Sequence, residues 1–124
     1  MAYPADRRYS KDHEWIRLSE GVAEVGITDF AQQQLGDVVF VDLPAAGATV
    51  TAGAAFGTIE SVKAVSELFA PMSGTILEVN AALKDHPEYV NSAPHDTWMV
   101  RVRVSDPSSA EGLLDAAQYE AHLA

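Results

Sequence analysis

Hydrophobic and polar positions alternate in short runs along most of the chain. HEWIRL and VAEVGI flank Ser19-Glu20-Gly21, so residues 13–27 predict a β-hairpin closed by a polar turn. The period then lengthens. TDFAQQQLG predicts a short helix with Thr28 as its cap, Asp29 in the first turn and Gly36 at its end. Phe30, Ala31 and Leu35 are its expected buried side.

From residue 37 onward the signal returns to strands. DVVFVDLP ends at Pro44, VTAGAAFGTIE is dotted with glycine, VSELFAP stops at Pro71, and GTILEVN follows. Residues 80–94 read as a polar loop with a helical turn. In WMVRVRV, Trp98, Val100, Val102 and Val104 fall on one face, and Met99, Arg101 and Arg103 on the other. SSAEGLLDAAQYEAHL predicts one or two amphipathic helices with Leu113, Leu114, Ala117 and Tyr119 or Ala121 inward. The sum is a mainly β fold with peripheral helices. A weak internal echo joins Pro44-Ala45-Ala46-Gly47 to Pro71-Met72-Ser73-Gly74, which suggests two similar β units facing each other.

Composition narrows the function. The 124 residues are 48% apolar, the range of one folded domain. Eighteen acidic against eight basic residues give a formal charge of −10, which argues against nucleic-acid backbones and anionic membranes as partners. No cysteine is present, so disulfides, thiol nucleophiles and thiolate metal sites are excluded. No apolar run reaches the roughly 18 residues of a membrane span, and MAYPADRRYS has no apolar core of a secretory signal. His13, His86, His95 and His122 have no metal-pair spacing, so no metal site is expected and His13 reads as structural.

Lysine occurs only at Lys11, Lys63 and Lys84. Lys63 lies in Glu60-Ser61-Val62-Lys63-Ala64, between two strand-like runs, where small residues permit a tight turn. A lysine at a hairpin tip presents a free amine on four methylenes, an attachment point for an acyl cofactor. The plainer alternative is a solubilising surface lysine. A Schiff-base role would need burial or a neighbouring cation, and Glu60 and Glu67 supply neither.

Glu60-Ser61-Val62-Lys63-Ala64, with Gly47 sixteen positions before the lysine and Gly74 eleven after, resembles the attachment region of biotinyl/lipoyl carrier domains. More closely, it resembles the H-protein family of the glycine cleavage system. Tyr9-Ser10-Lys11-Asp12-His13-Glu14-Trp15, Val25-Gly26-Ile27-Thr28-Asp29, Leu35 to Pro44, Ala70-Pro71-x-Ser73-Gly74, Val79-Asn80, Val90-Asn91-Ser92-x-Pro94, and Leu113-Leu114 with Tyr119 carry the same resemblance. Biotin carriers have Met on both sides of the lysine, and 2-oxoacid dehydrogenase lipoyl domains have Asp before it; Val62 and Ala64 match neither.

The resemblance implies one lipoyl-carrier domain over residues 1–124 with a barrel-sandwich hybrid fold. A hairpin and helix span 9–36, the hybrid core about 37–104 and a C-terminal helix about 108–122. It implies a non-enzymatic carrier with lipoic acid in amide linkage to Lys63, and Glu60, Ser61, Val62 and Ala64 forming the turn that an attaching enzyme reads. The implied partners are the pyridoxal-phosphate glycine decarboxylase, the tetrahydrofolate-dependent aminomethyltransferase, dihydrolipoyl dehydrogenase, and a lipoate ligase or lipoyl transferase. A role as lipoyl donor to other proteins needs the same lysine. Glu14 is the candidate cleft partner for a cationic aminomethyl group, with Glu67, where the family often has Asp, as a second. The expected compartment is a bacterial cytoplasm, or the mitochondrial matrix for a processed eukaryotic form. Phe30 stands where the family often has His, the 94–98 loop is short, and Thr97 replaces a usual Gly.

Overall fold

The computed structural model describes residues 3–123. Among the described residues, nine strands form in chain order: β1 (Arg8–Tyr9), β2 (Glu14–Ser19), β3 (Val22–Ile27), β4 (Val38–Asp42), β5 (Thr49–Val50), β6 (Ala55–Ser61), β7 (Val65–Phe69), β8 (Gly74–Val79) and β9 (Val100–Val104). Four helices accompany them: α1 (Asp29–Leu35), α2 (Ala82–Asp85), α3 (Tyr89–Ser92) and α4 (Ala116–Leu123), with a 3₁₀ segment at Pro107–Gly112. One sheet has the order β1-β2-β3-β9-β8-β5 and the other β4-β6-β7, with every pairing antiparallel. The fold is mainly β, two sheets with peripheral helices, in the barrel-sandwich arrangement.

The hairpin β2–β3 turns at Glu20 and Gly21, both with positive φ. Gly26 is required by packing: a Cβ there would lie 2.5 Å from the Trp15 indole. The two Pro-x-x-Gly segments meet directly. Gly47 N–H donates to the Ile76 carbonyl (2.7 Å), Ile76 N–H donates to Ala48 (2.8 Å), and Val50 pairs with Gly74. The echo in the sequence therefore marks two strands that hydrogen-bond to each other.

Three apolar clusters hold the sheets. One gathers Ile16, Val25, Met72, Ile76, Val100 and Val102. A second holds Ile27, Val41, Ile59, Leu68, Leu83 and Met99, and Phe56 and Leu43 touch both. The third packs Tyr9, Trp15 and Tyr119, where α4 closes over the N-terminal segment.

Three sequence expectations change. Met99 is fully buried, because the start of β9 is covered on both faces, with Val100 in the first cluster and Met99 in the second. Trp98 is only half-buried and lies under the Arg101 guanidinium, 4.0 Å away. In α1, Ala31 and Leu35 pack half-buried against the second cluster as expected, Phe30 is half-buried outside it, and the buried residue is Asp29. The 108–122 segment is split into the 3₁₀ segment and α4. Leu113, Leu114 and Tyr119 pack inward as expected, joined by Ala116 and Leu123, whereas Ala117 and Ala121 are exposed. The break comes where Leu114 pairs with Tyr9 in an isolated bridge, which takes residue 114 out of any helix.

Candidate functional site

Lys63 is the middle residue of the three-residue tip Val62-Lys63-Ala64 between β6 and β7. Ser61 organises that turn. Its backbone N–H donates to the Ala64 carbonyl (2.8 Å), and its Oγ accepts from Lys63 N–H (3.3 Å) and Ala64 N–H (3.1 Å). Val62 N–H donates to the Asp37 carbonyl (3.0 Å), tying the tip to the loop after α1. Ser61 is buried, whereas Glu60, Val62, Lys63 and Ala64 are exposed. A short polar side chain that bonds its own loop is the usual way to fix such a tip.

The lysine stem passes over Gly36. A Cβ at Gly36 would lie 3.4 Å from Lys63 Cε, and Gly36 itself ends α1 with φ 76° and ψ −159°. Asn91 holds this platform: its Nδ2 donates to the Gly36 carbonyl (2.9 Å) and to Gln32 Oε1 (3.0 Å), while its Oδ1 accepts from Val38 N–H (2.9 Å). Asn91 appeared in the sequence only as part of the resemblance, with no role assigned.

A cleft of about 300 Å³ opens beside the turn. Ile27, Ala31, Leu35, Ile59 and Leu68 form its apolar lining, and Ala64 and Val65 lie at its Lys63 side. Asp12, His13, Glu14, Gln34, Ser66 and Glu67 add polar groups. The structure thus brings Glu14, Glu67 and Ala64 to one cleft. Glu60 is on β6 opposite Val65 and does not line it.

Glu14 and Glu67 differ sharply. Glu67 is exposed. Glu14 is 2% exposed; its Oε1 accepts from Ser10 Oγ (2.7 Å) and its Oε2 from Phe69 N–H (3.3 Å). Burial raises its carboxyl from an ordinary 4.5 to about 7, against the pull of those two donors. A carboxyl poised there gains most from a cation arriving in the cleft, which would favour its charged form.

His13 joins the site unforeseen. Its φ of 70° is left-handed, which a non-glycine residue rarely adopts. Successive strand residues face opposite ways; the bend at His13 lets both it and Glu14 line the cleft. His13 Nδ1 lies 2.8 Å from the Tyr119 hydroxyl, and its ring is 4.6 Å from that of Phe30. Burial, then the neighbouring His122, hold its pKa below the ordinary 6.5, so it is neutral at pH 7. No residue pattern in the sequence signals this bend. Among the described residues no group of three His, Cys, Asp or Glu is placed to hold a metal ion.

Two antiparallel sheets presenting one lysine on a hairpin tip beside a cleft define a lipoyl-domain-like protein. A family profile described as Glycine cleavage H-protein matches residues 7–124. The chain is 57% identical to the glycine cleavage system H protein of Geobacillus kaustophilus, over 99% of this chain and 98% of that one. It is 52% identical to that of Bacteroides thetaiotaomicron, covering 98% and 97%. The crystal structure of a glycine cleavage system H protein from Mycobacterium marinum superposes with a TM-score of 0.87 at 41% identity, covering 98% of each chain. The chain belongs to the glycine cleavage H-protein family.

Proposed function

We propose that Lys63 carries lipoic acid in amide linkage. The chain then shuttles the aminomethyl group of glycine from the pyridoxal-phosphate decarboxylase to the tetrahydrofolate-dependent aminomethyltransferase, and next meets dihydrolipoyl dehydrogenase. The observation that carries this reading is the geometry: an exposed lysine on an ordered tip, next to an apolar cleft with a buried carboxyl. The residues fit the group, since an apolar arm needs an apolar trough and an amine cargo needs an acceptor. The lipoyl disulfide, when bound, supplies the sulfur chemistry that accepts and releases the cargo.

The chain's own contribution is placement. Ser61 fixes the tip that a lipoate ligase or lipoyl transferase reads, with Glu60, Val62 and Ala64 as its exposed text. The tether keeps the reactive end at high local concentration at each partner. Ile27, Leu35 and Leu68 shield an arm laid in the cleft from water. Glu14 holds the cationic amine as a charge-assisted acceptor, and Glu67 acts at the exposed rim. The chain works as a carrier, not as an enzyme, because bond-making belongs to the arm and its partners. Its bacterial relatives support a cytoplasmic setting, and no helix among the described residues is long and apolar enough to cross a membrane.

The test is intact mass after co-expression with a lipoate ligase, followed by decarboxylase-dependent exchange of labelled bicarbonate into glycine. A single lipoyl adduct, absent in Lys63→Arg, with exchange only for the modified protein, is the expected result. No adduct on the wild-type chain would overturn the reading.

A further inference from the structure

The cleft is built from segments far apart in sequence, and one buried hydroxyl touches two of them. Tyr119, on α4, is fully buried. Its hydroxyl lies 2.8 Å from His13 Nδ1 and 2.8 Å from Thr28 Oγ1. His13 stands on the cleft wall directly before Glu14. Thr28 caps α1, its Oγ1 accepting from Ala31 N–H (3.2 Å), and Ala31, Gln34 and Leu35 of that helix form the facing wall. The Tyr119 ring stacks on Tyr9 at 4.8 Å, 13° from parallel, which holds the hydroxyl in place from behind.

The bonding fits a directed chain. Thr28 Oγ1 accepts from Ala31 N–H and retains its own hydrogen for Tyr119, which leaves the tyrosine hydrogen for the Nδ1 of a neutral His13. The strained His13 backbone is itself pinned: its N–H donates to the Ser10 carbonyl (3.1 Å) and its carbonyl accepts from Thr28 N–H (3.0 Å). Ser10 in turn donates to Glu14 Oε1. A left-handed residue persists only where its surroundings over-determine it, and here those surroundings include the C-terminal helix.

We propose that Tyr119 is a positioning residue for the cleft: its hydroxyl joins the His13–Glu14 wall to the cap of α1, so that α4 sets the separation of the walls between which the loaded arm rests. The proposal rests on the carrier reading for what occupies the cleft, but not for the geometry. Ring packing in the third cluster needs only the tyrosine ring; the hydroxyl is what serves the cleft.

Tyr119→Phe keeps the ring and removes the bridge. In the unmodified protein, the His13 ring-nitrogen resonances should shift and the Ala31 amide should exchange faster, measured by NMR. In lipoylated, aminomethyl-loaded protein, spontaneous loss of the amine should rise about fivefold, the equivalent of one hydrogen bond, with lipoylation of Lys63 unchanged. Thr28→Ser should behave as wild type, and Thr28→Val like Tyr119→Phe. In a Glu14→Gln background Tyr119→Phe should add little, since it acts through that wall. Unmoved His13 resonances, or an unchanged release rate in Tyr119→Phe, would overturn the proposal. Failure of the wild-type chain to accept lipoate would instead overturn the carrier reading, and the NMR arm would still decide the role of Tyr119.

Discussion

The stem of Lys63 lies across Gly36, the residue that ends α1, with 3.4 Å between Lys63 Cε and the place where a Gly36 Cβ would sit. The two residues are bound into one platform by Val62 N–H on the Asp37 carbonyl and by Asn91 on the Gly36 carbonyl. The lysine thus leaves its turn over a backbone surface from which side-chain bulk is missing, next to the cleft that α1 lines.

Gly36→Ala tests that platform. With φ 76° and ψ −159°, residue 36 lies in a region essentially confined to glycine, where other residues cost about 1–3 kcal/mol. The Lys63 stem is flexible and can yield, so the cost is backbone strain rather than clash. The urea midpoint should fall by that equivalent, with slower lipoylation of Lys63. An unchanged midpoint would show that the chain can relax at residue 36.

Ser61→Ala tests the tip. It removes the acceptor for two turn N–H groups and leaves the Ser61–Ala64 and Val62–Asp37 backbone bonds in place. Global stability should drop by only about 1 kcal/mol. Amide exchange at Lys63 and Ala64 should accelerate, and the ligase should show a lower kcat/KM on this variant. Wild-type exchange at both amides would remove Ser61 from its role as organiser.

Local chemistry was legible in the sequence where one segment decides it. The hairpin around Gly21, the Thr28 and Gly36 ends of α1, and the Lys63 turn each depend on residues within a few positions. What escaped depends on remote partners. Met99, just before β9, packs with Ile27, Ile59 and Leu83 of the second cluster, so it is buried on a face that alternation alone assigns to solvent. The Thr28–Tyr119 bond spans 91 positions, and the Glu14–Phe69 bond spans 55. Glu14 read as a candidate through resemblance, but its burial and its Ser10 partner come from the turn at His13, which no composition signal marks.

His95 should control the acid side of the stability curve. Its Nε2 accepts from Asp29 N–H at the start of α1 (3.1 Å), which requires that nitrogen unprotonated. Burial, then Arg7, hold its pKa below 6.5. The folded state therefore binds fewer protons than the unfolded chain below that pH, and stability present above it is lost as pH falls. His13, also depressed, adds in the same direction. In a Glu14→Gln background, where no buried carboxyl opposes the trend, the urea midpoint should decline from pH 7 to pH 5, and adding His95→Gln, which keeps an acceptor, should reduce the decline. Equal slopes would assign the acid loss elsewhere.

Glu14 works in the opposite direction. Its folded value of about 7 lies above the ordinary 4.5, so between those values the folded state holds a proton that the unfolded chain has released. Stability from this group is full below pH 4.5, declines as pH rises to about 7, and is level beyond. At 1.36 kcal/mol per pH unit the decline has a ceiling of about 3 kcal/mol. Glu14→Gln keeps one oxygen to accept from Phe69 N–H, offers its amide N–H to Ser10 Oγ and removes the charge, so it should match wild type at pH 4 and exceed it at pH 8. Taking the difference between the two proteins cancels the histidine contribution. A cationic amine in the cleft should reverse the effect by favouring the carboxylate, so loading should release protons near pH 7 in wild type and none in the Gln variant. A pH-independent difference between the two proteins would sink this assignment of Glu14.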